Sequence, residues 1–402
     1  MEFLYISSLS SCRLINRIHQ ITKRDPGFAV QKFNRLIVSG FIKNNIKTTV
    51  FSNPPMNAVA GRRWVSEHRE VENDIIYEYA KYFNLPLIKD IFVMFHTFIK
   101  VLTWGIKERK NKAVICDVLS ISANIGALLA SKLLGIKTVG IVTDMPGLMV
   151  TASLDKSKHR SISMGRIYTA VNKSYLSSYS YYVFLTEQMN DVINLNKRPY
   201  IVMEGLCDYE LSKTISRVTS KAEPKIIMYA GGLHEKYGLK LLVEAFCQIQ
   251  RDDIKLVVYG SGPFSKNLQS ISTVDNRVEY RGTVSNEIVI RTELEATLLI
   301  NPRPTNEEFT KYSFPSKNIE YMVSGTPLLT TKLPGMPKEY YPYVYLISDE
   351  SVAGYREALE NILRIDSQEL IEKGELARNF VLQKKNNLVQ TSRIVNLINQ
   401  HQ

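Results

Sequence analysis

Phe314-Pro-Ser-Lys-Asn-Ile-Glu-Tyr-Met-Val-Ser-Gly-Thr-Pro327 reads as a short helix marked at both ends. Ser313 or Ser316 is placed to cap its start, and Pro315 suits a first turn that needs no intrahelical donor. Gly325 and Pro327 stop it, and Leu328–Thr331 follows as a short strand. A helix start offers free N–H groups and the positive end of the dipole, a seat for phosphate. Lys317 adds a full charge there. Glu320, four residues after Ser316, sits one turn deeper on the same face, where a carboxylate can accept from two neighbouring sugar hydroxyls. An anion seat and a hydroxyl acceptor one turn apart are what a nucleotide-sugar needs. The same residues also fit an ordinary capped helix with a solvated lysine and glutamate.

Working outward, 402 residues are many for one core, so two domains of roughly 200 residues are expected. With 45% hydrophobic and 22% charged residues the chain is globular. Cys12, Cys116, Cys207 and Cys247 are widely spaced with no C-x-x-C, against a disulfide framework or zinc site and for a reducing compartment. The most apolar run, Ile91–Ile106, is broken by His96 and Lys100, so no transmembrane helix is expected. Met1–Ser7 reads as a first strand, not a signal peptide.

The net charge of +12 is unevenly placed. Residues 1–205 hold 27 Lys and Arg against 15 Asp and Glu, a net of +12, and the remainder holds 24 of each, a net of zero. A basic half suits nucleic acid or an anionic membrane. No helix-turn-helix, zinc-finger or aromatic RNA-binding signature is present, so the membrane surface is the expected partner and nucleic acid is not. Scattered solvated charge is the plainer account of the same count.

Along the chain, Glu2–Ser8 reads as a strand, Ser10–Asp25 as a polar, basic loop, Gly27–Asn44 as an amphipathic helix and Lys47–Ser52 as the next strand. Residues 57–75 are polar. Ile75–Ile106 suits a strand and a helix, with His96 and Trp104 in the packing. Ala113–Leu119 is a strand with Asp117 near its end, Ile121–Leu134 a helix and Lys137–Val142 a strand. That strand stops at Asp144, where a ligand crevice would lie, although an Asx turn explains the residue equally well. Lys156–Lys173 is basic and leads into a helix, Ser180–Leu185 and Tyr200–Met203 are strands, and Asp208–Pro224 reads as a linker. Strands at Lys225–Tyr229, Ile254–Tyr259, Val278–Tyr280, Ala296–Ile300, Leu328–Thr331 and Val344–Ile347 then alternate with helices at Gly238–Gln250, Ser285–Thr292 and 352–399. Two consecutive βα arrays predict two doubly wound domains facing one another.

Four stretches together resemble the family-4 retaining glycosyltransferases: Tyr-Ala-Gly-Gly-Leu-His-Glu-Lys-Tyr-Gly (229–238), Val-Val-Tyr-Gly-Ser-Gly-Pro (257–263), Tyr-Arg-Gly-Thr-Val (280–284) and Pro315–Pro327. Each is weak alone, but their order and spacing are specific. The likeness is strong over about residues 225–360 and extends to the first half in layout only. It implies a GT-B fold of two facing Rossmann-like domains: residues 1–207 for the acceptor, 208–385 for the nucleotide-sugar, and a helix over 386–402 returning to the first domain. It also implies sugar transfer with retention and no metal or other cofactor.

The same resemblance assigns Glu308, Lys317 and Glu320 to catalysis. It places Gly231, Gly232, Lys236, Gly260, Gly262, Arg281, Ser316 and Glu307 around the donor. Two departures stand out. The family's diphosphate-binding arginine and lysine align with Gly232 and Tyr237, so Lys236 or Lys317 must carry that charge, helped by the N–H groups of Gly231 and Gly232. The family's paired glutamates stand eight residues apart, and eight before Glu320 is Tyr312. Glu308, or next Glu307, must therefore reach back over the donor sugar from a longer loop. The family's histidine near the first-domain crevice has no counterpart in Ser120–Asn124, which leaves Asp144 and Asn124 as substitutes.

The expected activity is thus transfer from a UDP-linked sugar to a glycan or lipid-linked acceptor in cell-surface polysaccharide synthesis, in the cytoplasm at the inner face of the membrane. Two rivals share the fold: a nucleotide-sugar epimerase or phosphorylase, and a non-catalytic nucleotide-sugar-binding protein, which Gly232 in the arginine slot favours. A Rossmann oxidoreductase lacks its G-x-G-x-x-G after the first strand.

Overall fold

The computed structural model describes residues 1–56, 61–107, 111–145, 174–211 and 221–401. The basic run Lys156–Lys173 and the middle of the expected linker lie outside the described residues. Contacts divide the chain into two units, residues 1–204 with 387–402, and residues 205–386. Each is a Rossmann-like α/β unit.

In the first unit the strands are β1 (Glu2–Ser7), β2 (Lys47–Ser52), β3 (Trp64–Val65), β4 (Glu70–Glu72), β5 (Ile75–Tyr79), β6 (Tyr82–Phe83), β7 (Lys112–Asp117), β8 (Lys137–Val142), β9 (Tyr181–Phe184) and β10 (Tyr200–Val202). Among the described residues eight of them form one sheet, in the order β10-β9-β8-β7-β1-β2-β5-β4. All neighbours are parallel except the edge pair of β4 and β5. Phe3–Ile6 and Ala113–Cys116 are fully buried, as strands covered on both faces require, hence their continuous apolar runs.

The segment Ser10–Asp25, read above as a loop, is instead helical over Cys12–Thr22. Ser11 caps it by accepting from the Leu14 N–H at 3.1 Å, and Leu14, Ile15, Ile18 and Thr22 bury one stripe. Its basic residues sit on the other face, where Arg13 and Arg17 pair with Glu70 and Glu67. They masked the apolar spacing. The helices Ile88–Lys107 and Ile121–Leu134 pack closely because Gly126 has no side chain: a Cβ there would lie 2.1 Å from the Met94 carbonyl oxygen. The C-terminal helix Asn387–Gln400 lies on the helix Phe28–Lys43 of the same unit. Asn44 Nδ2 donates to the Leu388 carbonyl, and Asn387 Nδ2 to the Leu36 carbonyl.

The second unit carries β11 (Lys225–Ala230), β12 (Ile254–Tyr259), β13 (Val278–Tyr280), β14 (Leu298–Asn301), β15 (Leu328–Thr331) and β16 (Tyr345–Ile347), all parallel, in the order β13-β12-β11-β14-β15-β16. Alternate residues of β11 feed two cores. Ile227 and Tyr229 meet Leu242, Phe246 and Tyr355 on one face. Met228 and Ala230 meet Tyr321, Met322 and Phe380 on the other. A helix over Ser265–Val274 was not expected; with Leu268 as its one buried residue it has almost no apolar periodicity to read. The stretch 352–399 is three helices, Val352–Arg364, Ser367–Lys384 and Asn387–Gln400. The first break comes at Asp366, whose carboxylate caps the second helix through the Gln368 N–H.

Candidate functional site

The strand order of the second unit points to one place. From β11 the chain runs outward through β12 and β13, and from β14 it runs the other way through β15 and β16. The two central strands therefore leave a crevice at their carboxyl ends, where open α/β sheets bind ligands. Gly231 and Gly232 leave β11 there, and Pro302 and Arg303 leave β14.

The helix Ser316–Ser324 is fastened to both strands. Asn301, the last residue of β14, donates through Nδ2 to Asn318 Oδ1 at 2.6 Å. Tyr321, fully buried, accepts from the Ala230 N–H at 2.8 Å and donates to the Ala230 carbonyl at 3.1 Å, at the last residue of β11. Asn318, Ile319, Tyr321, Met322 and Val323 form the buried face. Ser316, Lys317 and Glu320 are left at the surface. Neither serine caps the start, contrary to expectation: Pro315 occupies the N-cap with no side-chain acceptor, and the Ser313 hydroxyl donates to the Phe309 carbonyl. Of the first N–H groups, that of Asn318 bonds to the Pro315 carbonyl. Lys317 Nζ and Glu320 Oε2 are 3.0 Å apart. A pair this exposed contributes at most about 1 kcal/mol, so an incoming anion and hydroxyl can part them at little cost.

Around this helix the other expected residues have mixed positions. The glycines of the two loops hold backbone against backbone. A Cβ on Gly260, at φ +128, would lie 1.8 Å from the Gly231 carbonyl oxygen, and one on Gly262 would lie 2.4 Å from the Leu233 carbonyl oxygen. The Gly231 N–H, expected to face phosphate, donates to the Tyr259 carbonyl at 3.1 Å instead. Arg281 is held by the Glu279 carboxylate and by the Tyr259 hydroxyl, the latter at 2.9 Å. Lys236 lies over the rings of Tyr237 and Phe309, at 5.6 and 5.8 Å. Glu308 opens the short 3-10 turn Glu308–Lys311 and is exposed, and Glu307 precedes it, half-buried.

In the first unit, Asn124 is wholly buried and its amide donates to the Asp117 carbonyl at 2.7 Å. Asp117 is buried as well, accepting from Asn34, which in turn accepts from the Tyr5 hydroxyl; burial raises its pKa. Asp144, at the end of β8, accepts from its neighbour's N–H, and burial lifts its pKa from 3.8 to about 6. Between those values the folded chain holds a proton that the unfolded chain has released, so stability falls as pH rises through that window. Asp144→Asn is accordingly expected to melt higher than wild type at pH 7.5 and alike near pH 3.5. A constant difference across pH would show that Asp144 is not desolvated. Among the described residues no three His, Cys, Asp or Glu gather as a metal site, and none of the four cysteines forms a disulfide.

Sequence reading gave no role to Arg303, Tyr237, Phe309, Asn318 or Tyr321. The one available signal was a charged residue two positions beyond a strand end, in Pro302-Arg-Pro304.

Residues 224–364 match the family model described as Glycosyl transferases group 1. Over that third of the chain the protein is similar to this family. No curated protein sequence matches the chain. Among solved structures it is similar to sucrose-phosphate synthase from Thermosynechococcus elongatus, at 14% identity and TM-score 0.65 over 100% of this chain and 99% of that one. It is also similar to HepE from Anabaena in complex with UDP, at 13% identity and TM-score 0.58 over 100% of both chains. A third likeness is to a UDP-forming trehalose-phosphate synthase from Burkholderia xenovorans, at 10% identity and TM-score 0.64 over 99% and 98%. At such identities the likeness is one of fold: two Rossmann-like domains of the GT-B kind. The matched segment lies within the six-stranded unit, and both loops and the fastened helix fall within it.

Proposed function

We propose that this protein transfers a sugar from a nucleotide-diphospho-sugar, UDP-linked, to a glycan or lipid-linked acceptor with retention of anomeric configuration, in cell-surface polysaccharide synthesis. One observation carries the reading: the helix Ser316–Ser324, fastened at Asn318 and Tyr321 to both crevice strands, leaves Lys317 and Glu320 together on its free face. Departure of the nucleoside diphosphate builds negative charge, which Lys317, Lys236 and the helix start stabilise in advance. Glu320 holds the ribose hydroxyls, and Glu308 or Glu307 the donor sugar. UDP in the HepE complex and the UDP-forming trehalose-phosphate synthase support the choice of nucleotide. The test is UDP release from UDP-sugars with and without lipid-linked acceptor, with the product anomer read by NMR. Sugar turnover without acceptor would make the protein an epimerase, and no turnover with any acceptor would leave a binding protein.

A membrane surface as the site of action rests on a second observation. On the helix Ile88–Lys107, Ile88, Ile91, Phe95, Ile99 and Ile106 are exposed at helical spacing, opposite the buried Val93, Thr97, Val101 and Trp104. Leu129 and Leu133 of the adjoining helix are exposed as well. No helix among the described residues is long and apolar enough to cross a membrane, so this face would lie in the interface, drawn there by the basic first half. Phe95→Glu is expected to abolish co-sedimentation with phosphatidylglycerol vesicles at low salt. Binding that survives both that variant and neutral lipid would remove the membrane from the reading.

A further inference from the structure

Arg303 is the anomaly of the second unit. It follows β14 by two residues and its guanidinium is largely buried, yet among the described residues no carboxylate pairs with it and its Nε has no hydrogen-bond partner. Other arginines of the unit are answered: half-buried Arg277 by Asp275 at 2.7 Å, and buried Arg378 by Glu375 at 3.7 Å. Instead, Arg303 is held by rings, its guanidinium carbon 5.0 Å from the Tyr237 centroid and 5.4 Å from that of Phe309. The rings meet edge to face at 6.1 Å. Aromatic faces attract a cation but accept only weak N–H contacts, so the five-donor fork is left without its natural complement. Burial without a counter-ion pushes the guanidinium below the usual arginine range.

The backbone that presents this side chain is tightly held. The Thr331 hydroxyl donates to the Arg303 carbonyl, and the Tyr355 hydroxyl donates to the Pro302 carbonyl at 2.8 Å. Gly238, at φ +82, is pressed so closely that a Cβ would lie 1.8 Å from the Pro302 carbonyl oxygen. Tyr237 is thereby carried against Arg303. The same ring borders Gly232, whose added Cβ would lie 3.2 Å from Tyr237 Cε2. A cation without a counter-ion thus stands beside the glycine loop that leaves β11, at the crevice between β11 and β14.

We propose that Arg303, clamped between Tyr237 and Phe309, binds the diphosphate of the nucleotide-sugar through its guanidinium fork. Two adjacent anionic groups with outward oxygens match a planar pair of N–H donors, whereas a single carboxylate from the chain would have quenched the site. Lys236, over the same two rings, brings a second positive charge to the diphosphate. This assignment rests on the nucleotide-sugar reading above and names the residue that grips the phosphates.

The experiment is calorimetric titration of the full chain with UDP and with uridine, for wild type, Arg303→Met and Arg303→Lys. UDP affinity should fall about 10- to 100-fold in Arg303→Met and by less in Arg303→Lys, while uridine binds all three alike. Unchanged UDP affinity in Arg303→Met would overturn the assignment and leave the nucleotide-sugar reading standing. If Arg303→Met does not fold, Arg303→Lys decides, because a compact ammonium cannot reproduce the fork: full UDP affinity there overturns the assignment. Equal losses of UDP and uridine affinity would mean a general disturbance of the crevice and would overturn it too. A wild type that binds no UDP, GDP, ADP or TDP would overturn the nucleotide-sugar reading and this assignment together.

Discussion

Glu320→Gln and Lys317→Ala are each expected to cut kcat by one to three orders of magnitude, on the order of 1.4–4 kcal/mol of barrier, with little change in melting temperature. The two expectations separate because of where the pair sits. Lys317 and Glu320 are half-exposed and pair with each other across one turn, so removing either costs the fold at most about 1 kcal/mol. In the proposed reaction they do different work. Lys317 meets charge that grows on the leaving diphosphate, an interaction stronger in the transition state than in the bound substrate, so its loss appears in kcat. Glu320 positions the ribose, and its loss should raise KM as well. Steady-state kinetics on UDP-sugar and acceptor, beside a thermal melt, test both. Wild-type rates in both variants would remove the helix from the mechanism.

Gly260→Val is expected to destabilise the second unit by roughly 2–6 kcal/mol, a large part of the 5–15 kcal/mol typical of whole domains. Two costs combine. At φ +128 the backbone lies where a β-branched residue is strained, and the new Cβ would fall 1.8 Å from the Gly231 carbonyl oxygen. Neither can relax alone, because the Gly231 N–H is bonded to the Tyr259 carbonyl and the Gly260 N–H to the Gly282 carbonyl at 2.8 Å. The glycine was read from sequence as a donor-binding position, whereas in the structure it lets two loops touch. Urea unfolding followed by fluorescence measures the loss. A midpoint within error of wild type would mean that the loops can separate, and the close approach would then have no structural weight.

These three variants mark how far the sequence could be read. Periodicity exposed the strands and most helices: Val278–Tyr280 and Leu328–Thr331 fall where their apolar runs and flanking turns put them. It failed where one stripe was interrupted by charge, as in Cys12–Thr22, or nearly missing, as in Ser265–Val274. Ser316 and Glu320 could be placed on one helical face from spacing alone, because an α-helix fixes neighbours four apart whatever surrounds it.

What spacing could not decide was which residues from distant segments meet. Asn301 and Asn318, or Ala230 and Tyr321, are joined only because β11 and β14 lie side by side at the sheet's reversal, and strand order is not written in any one stretch. Arg303 looked like a loop residue until Tyr237, from the connection after β11, and Phe309, further along its own connection, closed over it without supplying a counter-charge. Local sequence determined the elements and the chemistry each could offer, since hydrophobic period and end signals act within a few turns. The tertiary structure decided which charges are answered by neighbours and which are not, because burial and pairing depend on segments far apart in the chain.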